Sequence, residues 1–149
     1  MPRILILDDE ASVRSLLRVV LGDIGYDVSE SATADGAITL QDEHPADLLI
    51  TDIFLPEADA QAKMLELVFR NPSMKVIAMS GAANQDIAIS IAKLLGARTI
   101  LQKPFGIQEL LEVVCLQIAE LRQEYKESSH VPSSFPRIER SYPSIPRMN

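Results

Sequence analysis

Four apolar runs in this chain end in residues able to do chemistry. Arg3-Ile4-Leu5-Ile6-Leu7 leads into Asp8-Asp9-Glu10, and Asp47-Leu48-Leu49-Ile50-Thr51 leads into Asp52. Lys75-Val76-Ile77-Ala78-Met79 leads into Ser80-Gly81, and Thr99-Ile100-Leu101-Gln102 into Lys103-Pro104. Adjacent carboxylates are hard oxygen ligands suited to Mg²⁺, which takes one or two of them, keeps several waters and adds phosphate oxygens. Asp8 and Asp9 suit that role, with Glu10 as a helper through water. An aspartate such as Asp52 is also a known type of nucleophile for a phosphoryl group. Ser80 offers a hydroxyl and Lys103 a point charge for phosphoryl oxygens. Singly, each residue has a plainer reading: a charge on a helix dipole, a cap, a turn, a solvated lysine. Jointly they describe an electrostatic site for a divalent cation and a phosphoryl group.

The elements that must position these groups follow from the same pattern. Short apolar runs bounded by polar residues predict buried parallel strands. Strands are expected at Arg3 to Leu7, Tyr26 to Glu30, Asp47 to Thr51, Lys75 to Met79 and Arg98 to Leu101. Between and after them, helical spacing predicts helices near Ser12 to Leu21, Ala34 to Glu43, Asp59 to Phe69, Asn84 to Leu95 and Ile107 to Tyr125. Gly22, Gly25 and Gly96 are candidate terminators, and Pro45 and Pro72 stop the chain re-entering a helix. Five βα units predict a doubly wound five-stranded parallel α/β sheet flanked by helices on both faces, a flavodoxin-like fold. In the order 2-1-3-4-5 the first and third strands lie side by side at the switch point, where ligands bind beyond the strand ends. Asp8, Asp9 and Asp52 then become neighbours.

Composition bounds the function. The chain has 149 residues, room for one sizeable domain, and a net charge of -7, which disfavours nucleic acid as a direct partner. Residues 1–127 carry 11 basic and 20 acidic side chains; residues 128–149 carry three basic and one acidic. The tail, 128–149, contains Pro132, Pro136, Pro143 and Pro146 among serines and is expected to bury little and stay disordered. The single cysteine, Cys115, excludes an internal disulfide and is expected to be a small buried hydrophobe. Met64, Met74 and Met79 are expected in the core. A strand begins within three residues of the N-terminus, unlike a signal peptide, and no apolar run approaches the roughly 20 residues of a membrane span. The expected compartment is the cytoplasm.

Over about residues 3–122 the chain resembles the receiver domain of bacterial two-component response regulators, stand-alone and similar to the chemotaxis regulator. The matching pieces are Ile4 to Glu10, Thr51-Asp52-Ile53-Phe54-Leu55-Pro56, Met79-Ser80-Gly81 and Gln102-Lys103-Pro104-Phe105. The resemblance implies that Asp52 accepts a phosphoryl group from a sensor histidine kinase or histidine phosphotransferase. It implies that Asp8, Asp9, Asp52 and the backbone carbonyl of Phe54 hold Mg²⁺, and that Ser80 and Lys103 bind phosphoryl oxygens. It implies a cis Lys103-Pro104 bond and output through contact with a downstream protein. Three departures stand out. Ile100 replaces the usual aromatic. Pro56-Glu57-Ala58-Asp59-Ala60 lacks the usual glycine. Phe54 and Ala82 occupy the two positions that influence phosphoryl lifetime in the family. Two other functions compete. An aspartyl-nucleophile phosphohydrolase needs a second acid where Phe54 stands. A degenerate receiver would bind partners without phosphate. A dimer through the fourth helix, fifth strand and fifth helix is disfavoured, because Glu109, Glu112 and Glu120 precede Arg122 with no basic residue among them.

Overall fold

The computed structural model describes residues 1–81 and 85–129. The elements run β1 (Arg3–Leu7), α1 (Ala11–Ile24), β2 (Asp27–Ser31), α2 (Ala34–Glu43), β3 (Leu48–Asp52), α3 (Ala60–Phe69), β4 (Lys75–Ser80), α4 (Gln85–Leu94), β5 (Thr99–Gln102) and α5 (Ile107–Ser129). All four strand pairings are parallel, in the order β2-β1-β3-β4-β5. This is the doubly wound α/β architecture expected from the alternating pattern.

Alternation along each strand divides the core into two layers. Ile4, Ile6, Leu48, Ile50, Ile77, Met79 and Leu101 face Leu17 and Leu21 of α1 and Leu110, Val114 and Ile118 of α5. Leu5, Leu7, Leu49, Val76 and Ala78 face Ala34 and Ala37 of α2, Met64 and Leu67 of α3, and Ala88 and Ala92 of α4. Covering both faces explains why β1, β3 and β4 are nearly continuous apolar runs rather than alternating, while the edge strand β2 is polar and only partly buried. Each fully buried Leu or Ile contributes about 1.5–3 kcal/mol, so the central strands anchor whatever is attached to their ends. Met64, Met74 and Met79 are buried as expected.

Cys115 is exposed, contrary to the expectation. It lies one residue past Val114, and the roughly 100° advance per helical residue turns it off the buried Leu110, Val114 and Ile118 stripe. Helix ends also differ from those predicted. α1 continues to Ile24 because the left-handed residue is Gly25, with φ of 111°, whose N–H bonds the carbonyls of Gly22 and Leu21. α5 continues to Ser129, four residues beyond Tyr125, so the first two residues of the expected tail are helical. The remaining tail, from 130 onward, Ala82, and the expected start of the fourth helix at Asn84 lie outside the described residues.

Candidate functional site

Register decides which strand ends meet. Leu7 pairs with Thr51 across β1 and β3, Asp52 with Met79 across β3 and β4, and Ser80 with Gln102 across β4 and β5. Asp8, Asp52, Ser80 and Lys103 therefore leave the sheet at one edge. Backbone bonds hold them there. The Asp8 N–H donates to the Ser31 carbonyl at 3.1 Å, Ile53 N–H to Met79 at 3.1 Å, and Lys103 N–H to Ser80 at 2.7 Å. The Lys103–Pro104 peptide is cis.

Asp8 is fully buried and Asp52 is 7% exposed. Between them sits the Lys103 ammonium, 2.7 Å from Asp8 Oδ2 and 2.8 Å from Asp52 Oδ2, with Glu10 Oε1 at 3.1 Å. The other Asp8 oxygen accepts from Glu10 N–H at 2.8 Å, and the other Asp52 oxygen accepts from Phe54 N–H at 2.8 Å. Burial pushes the Asp8 carboxyl above its usual range, opposed by the Lys103 and Glu10 hydrogen bonds; the neighbouring Asp52 charge adds to the rise. For Lys103, burial favours the neutral amine, but the hydrogen bonds to Asp52 and Asp8 outweigh it and hold the ammonium well above its usual pKa. One cation thus serves three acids. Ser80 is buried, and its hydroxyl donates to the Gly81 carbonyl at 2.9 Å.

The donor set fits a hard divalent cation. Carboxylate oxygens of Asp8, Glu10 and Asp52 lie within 4.8 Å of one another. Asp9 is exposed and stands outside that group, while Glu10 is drawn in by Lys103. Two residues that sequence reasoning passed over also shape the edge. Arg14 donates from Nη1 to the Asp8 carbonyl at 2.8 Å and from Nε to Glu30 at 3.0 Å. Glu57 accepts from the Ala34 N–H. Arg14 lies four residues after Glu10, on the helix that leaves the acidic loop, which was a usable signal; Glu57 had none. Ile100 is partly buried against the α2, α3 and α4 side of the core, so an aliphatic side chain stands where the family's usual aromatic would be.

A parallel sheet in this order, with buried carboxylates and a lysine meeting at its carboxyl edge, defines a class of doubly wound α/β module with a charged site at the switch point. Residues 4–115 match the response regulator receiver domain, and the chain belongs to that family. It is 29% identical over 115 residues to the chemotaxis protein CheY of Listeria monocytogenes, covering 76% of this chain and 96% of that one. It is 30% identical over 125 residues to an NtrX-like putative response regulator of Rickettsia felis, covering 81% of this chain but only 26% of that longer protein. Among solved structures, a CheY-like receiver domain from Methanospirillum hungatei superposes with a TM-score of 0.76 at 27% identity, covering 83% of this chain and 98% of that one. The receiver domain of NtrX from Brucella abortus gives 0.71 at 29% identity, covering 78% and 98%. The family is one of signalling switches in two-component systems rather than classical enzymes. Among the described residues no helix is long and apolar enough to cross a membrane.

Proposed function

We propose that Asp52 is the phosphoacceptor of a two-component switch, charged from a phosphohistidine of a sensor kinase or histidine phosphotransferase with Mg²⁺, and that the charged form signals by contact with a downstream protein. One observation carries the reading: Asp52 ends the central strand with one oxygen held by Phe54 N–H and the other shared with Lys103 beside Asp8. Attack by a carboxylate oxygen forms the P–O bond of an acyl phosphate. The P–N bond to the donor imidazole breaks, and its electron pair stays on that nitrogen. Lys103 then exchanges a carboxylate oxygen for a phosphoryl oxygen, and Ser80 turns its hydroxyl from the Gly81 carbonyl toward the same group. Asp8, Asp9, Asp52 and the Phe54 carbonyl would hold Mg²⁺, which when bound supplies positive charge to the transferring phosphoryl oxygens. The net charge of -7 supports a protein rather than a nucleic-acid target, and a reducing cytoplasm suits the single thiol. The test is incubation with acetyl phosphate and Mg²⁺ followed by mass spectrometry. One phosphoryl group is expected on the protein and none on Asp52→Asn. Equal labelling of the Asn variant overturns the assignment.

A further inference from the structure

The loop from β3 to α3 leaves directly from Asp52 and carries the Phe54 carbonyl, so its position sets the geometry of the site. Ile53 is its last residue tied to the sheet, through the Met79 carbonyl. Leu55 then packs against the α2, α3 and α4 side of the core, and Pro56 has no N–H to donate. Among the described residues, the next hydrogen bond from this loop to another element is made by Glu57. Its carboxylate accepts the Ala34 N–H with both oxygens, at 3.2 and 3.3 Å, across 23 residues of sequence. Ala34 is the first residue of α2, where N–H groups lack helical partners and the dipole favours negative charge. The helix's own cap, Thr33, accepts a different donor, Gly36 N–H, at 3.1 Å. Glu57 therefore completes the α2 cap from outside, and α2 in turn anchors Glu57. A second tie joins α2 to the start of α3: Lys63 of α3 bridges Asp35 of α2 at 2.6 Å and Asp59, at the end of the loop, at 3.2 Å.

We infer that Glu57 is a positioning residue for the site: by clamping the phosphoacceptor loop onto the N-terminus of α2, it holds the Phe54 backbone where Asp52 and a bound cation need it. The inference rests on the reading of Asp52 given above.

The test uses the full chain with Glu57→Ala, Glu57→Gln and, as a control on general α2–α3 docking, Lys63→Ala. Glutamine keeps the length and one acceptor oxygen. The first readout is amide hydrogen exchange of Phe54 without metal or phosphodonor. Exchange should quicken about five- to tenfold in Glu57→Ala, the scale of losing one charge-assisted cap, and return most of the way in Glu57→Gln. The second is the rate of labelling by acetyl phosphate at saturating Mg²⁺, expected to fall by a similar factor in Glu57→Ala and to recover in Glu57→Gln. Unchanged Phe54 exchange in Glu57→Ala overturns the clamp, and so does equal quickening in Lys63→Ala. If the parent protein takes no phosphate, the Asp52 reading fails, while the exchange data still decide the clamp.

Discussion

Lys103→Met removes the only cation among the described residues that touches the buried carboxylates, and the structure sets the size of the effect. The ammonium is 2.7 Å from Asp8 and 2.8 Å from Asp52, whose side chains are 0% and 10% exposed. Its contact with Glu10, 55% exposed, adds little by comparison. Breaking a buried pair by removing one partner costs about 3–5 kcal/mol, because a charge is left buried and uncompensated. Protonation limits that cost. From the ordinary Asp value of 3.8, placing a proton on one orphaned carboxylate costs about 4 kcal/mol at pH 7 and under about 2 kcal/mol at pH 5. The deficit relative to the parent should therefore be about 3–4 kcal/mol at pH 7 and shrink by roughly half or more at pH 5. The sign follows from the carboxylates. The raised Lys103 pKa contributes stability that is complete below the usual lysine value and is lost only in strong alkali. The assay is urea unfolding without metal at both pH values, repeated with Mg²⁺. The cation no longer competes with an ammonium in the variant, so Mg²⁺ should raise its midpoint more than the parent's. A deficit under about 1 kcal/mol at pH 7, the scale of an ordinary surface pair, refutes the reasoning. So does a deficit that grows toward pH 5.

Three other outcomes are expected. Asp8→Asn should stabilise the metal-free protein at pH 7, because burial raises the Asp8 pKa and so penalises its charged form in the fold. That gain should vanish as pH falls below the unfolded value of 3.8, and thermal unfolding across pH checks it. Mg²⁺ affinity, measured by calorimetric titration, should fall in Asp9→Ala although Asp9 is exposed; unchanged affinity counts against it as a ligand. The acyl phosphate should be long-lived, because Phe54 and Ala82 offer no side-chain hydrogen bond to orient an attacking water, and positioning supplies much of the catalysis in phosphoryl transfer. Decay after donor removal should be faster in Phe54→Asn/Ala82→Glu, and equal decay refutes the idea.

The sequence by itself determined the element order and put Asp8, Asp52, Ser80 and Lys103 at strand ends, because both are local properties. A short run such as Leu48-Leu49-Ile50, bounded by polar residues and alternating with helical segments, fits a strand covered on both faces, and the polar residue after it falls at the end of the strand. Gly25 and Gly96 mark helix ends because their positive φ suits them and few other residues. That reasoning stops where partners are distant in the chain. Lys103 meets Asp8 across 95 residues and Asp52 across 51. No periodicity says that one ammonium will be divided among three acids, or that Glu10 will join them while Asp9 faces solvent. Cys115 was misplaced for a related reason: composition favours a buried thiol, but the rotation of α5 against the sheet decides its side. The Glu57 cap on α2 was invisible for the same cause. Its donor is a backbone N–H of another βα unit, and only the packing of α2 beside α3 brings the two together.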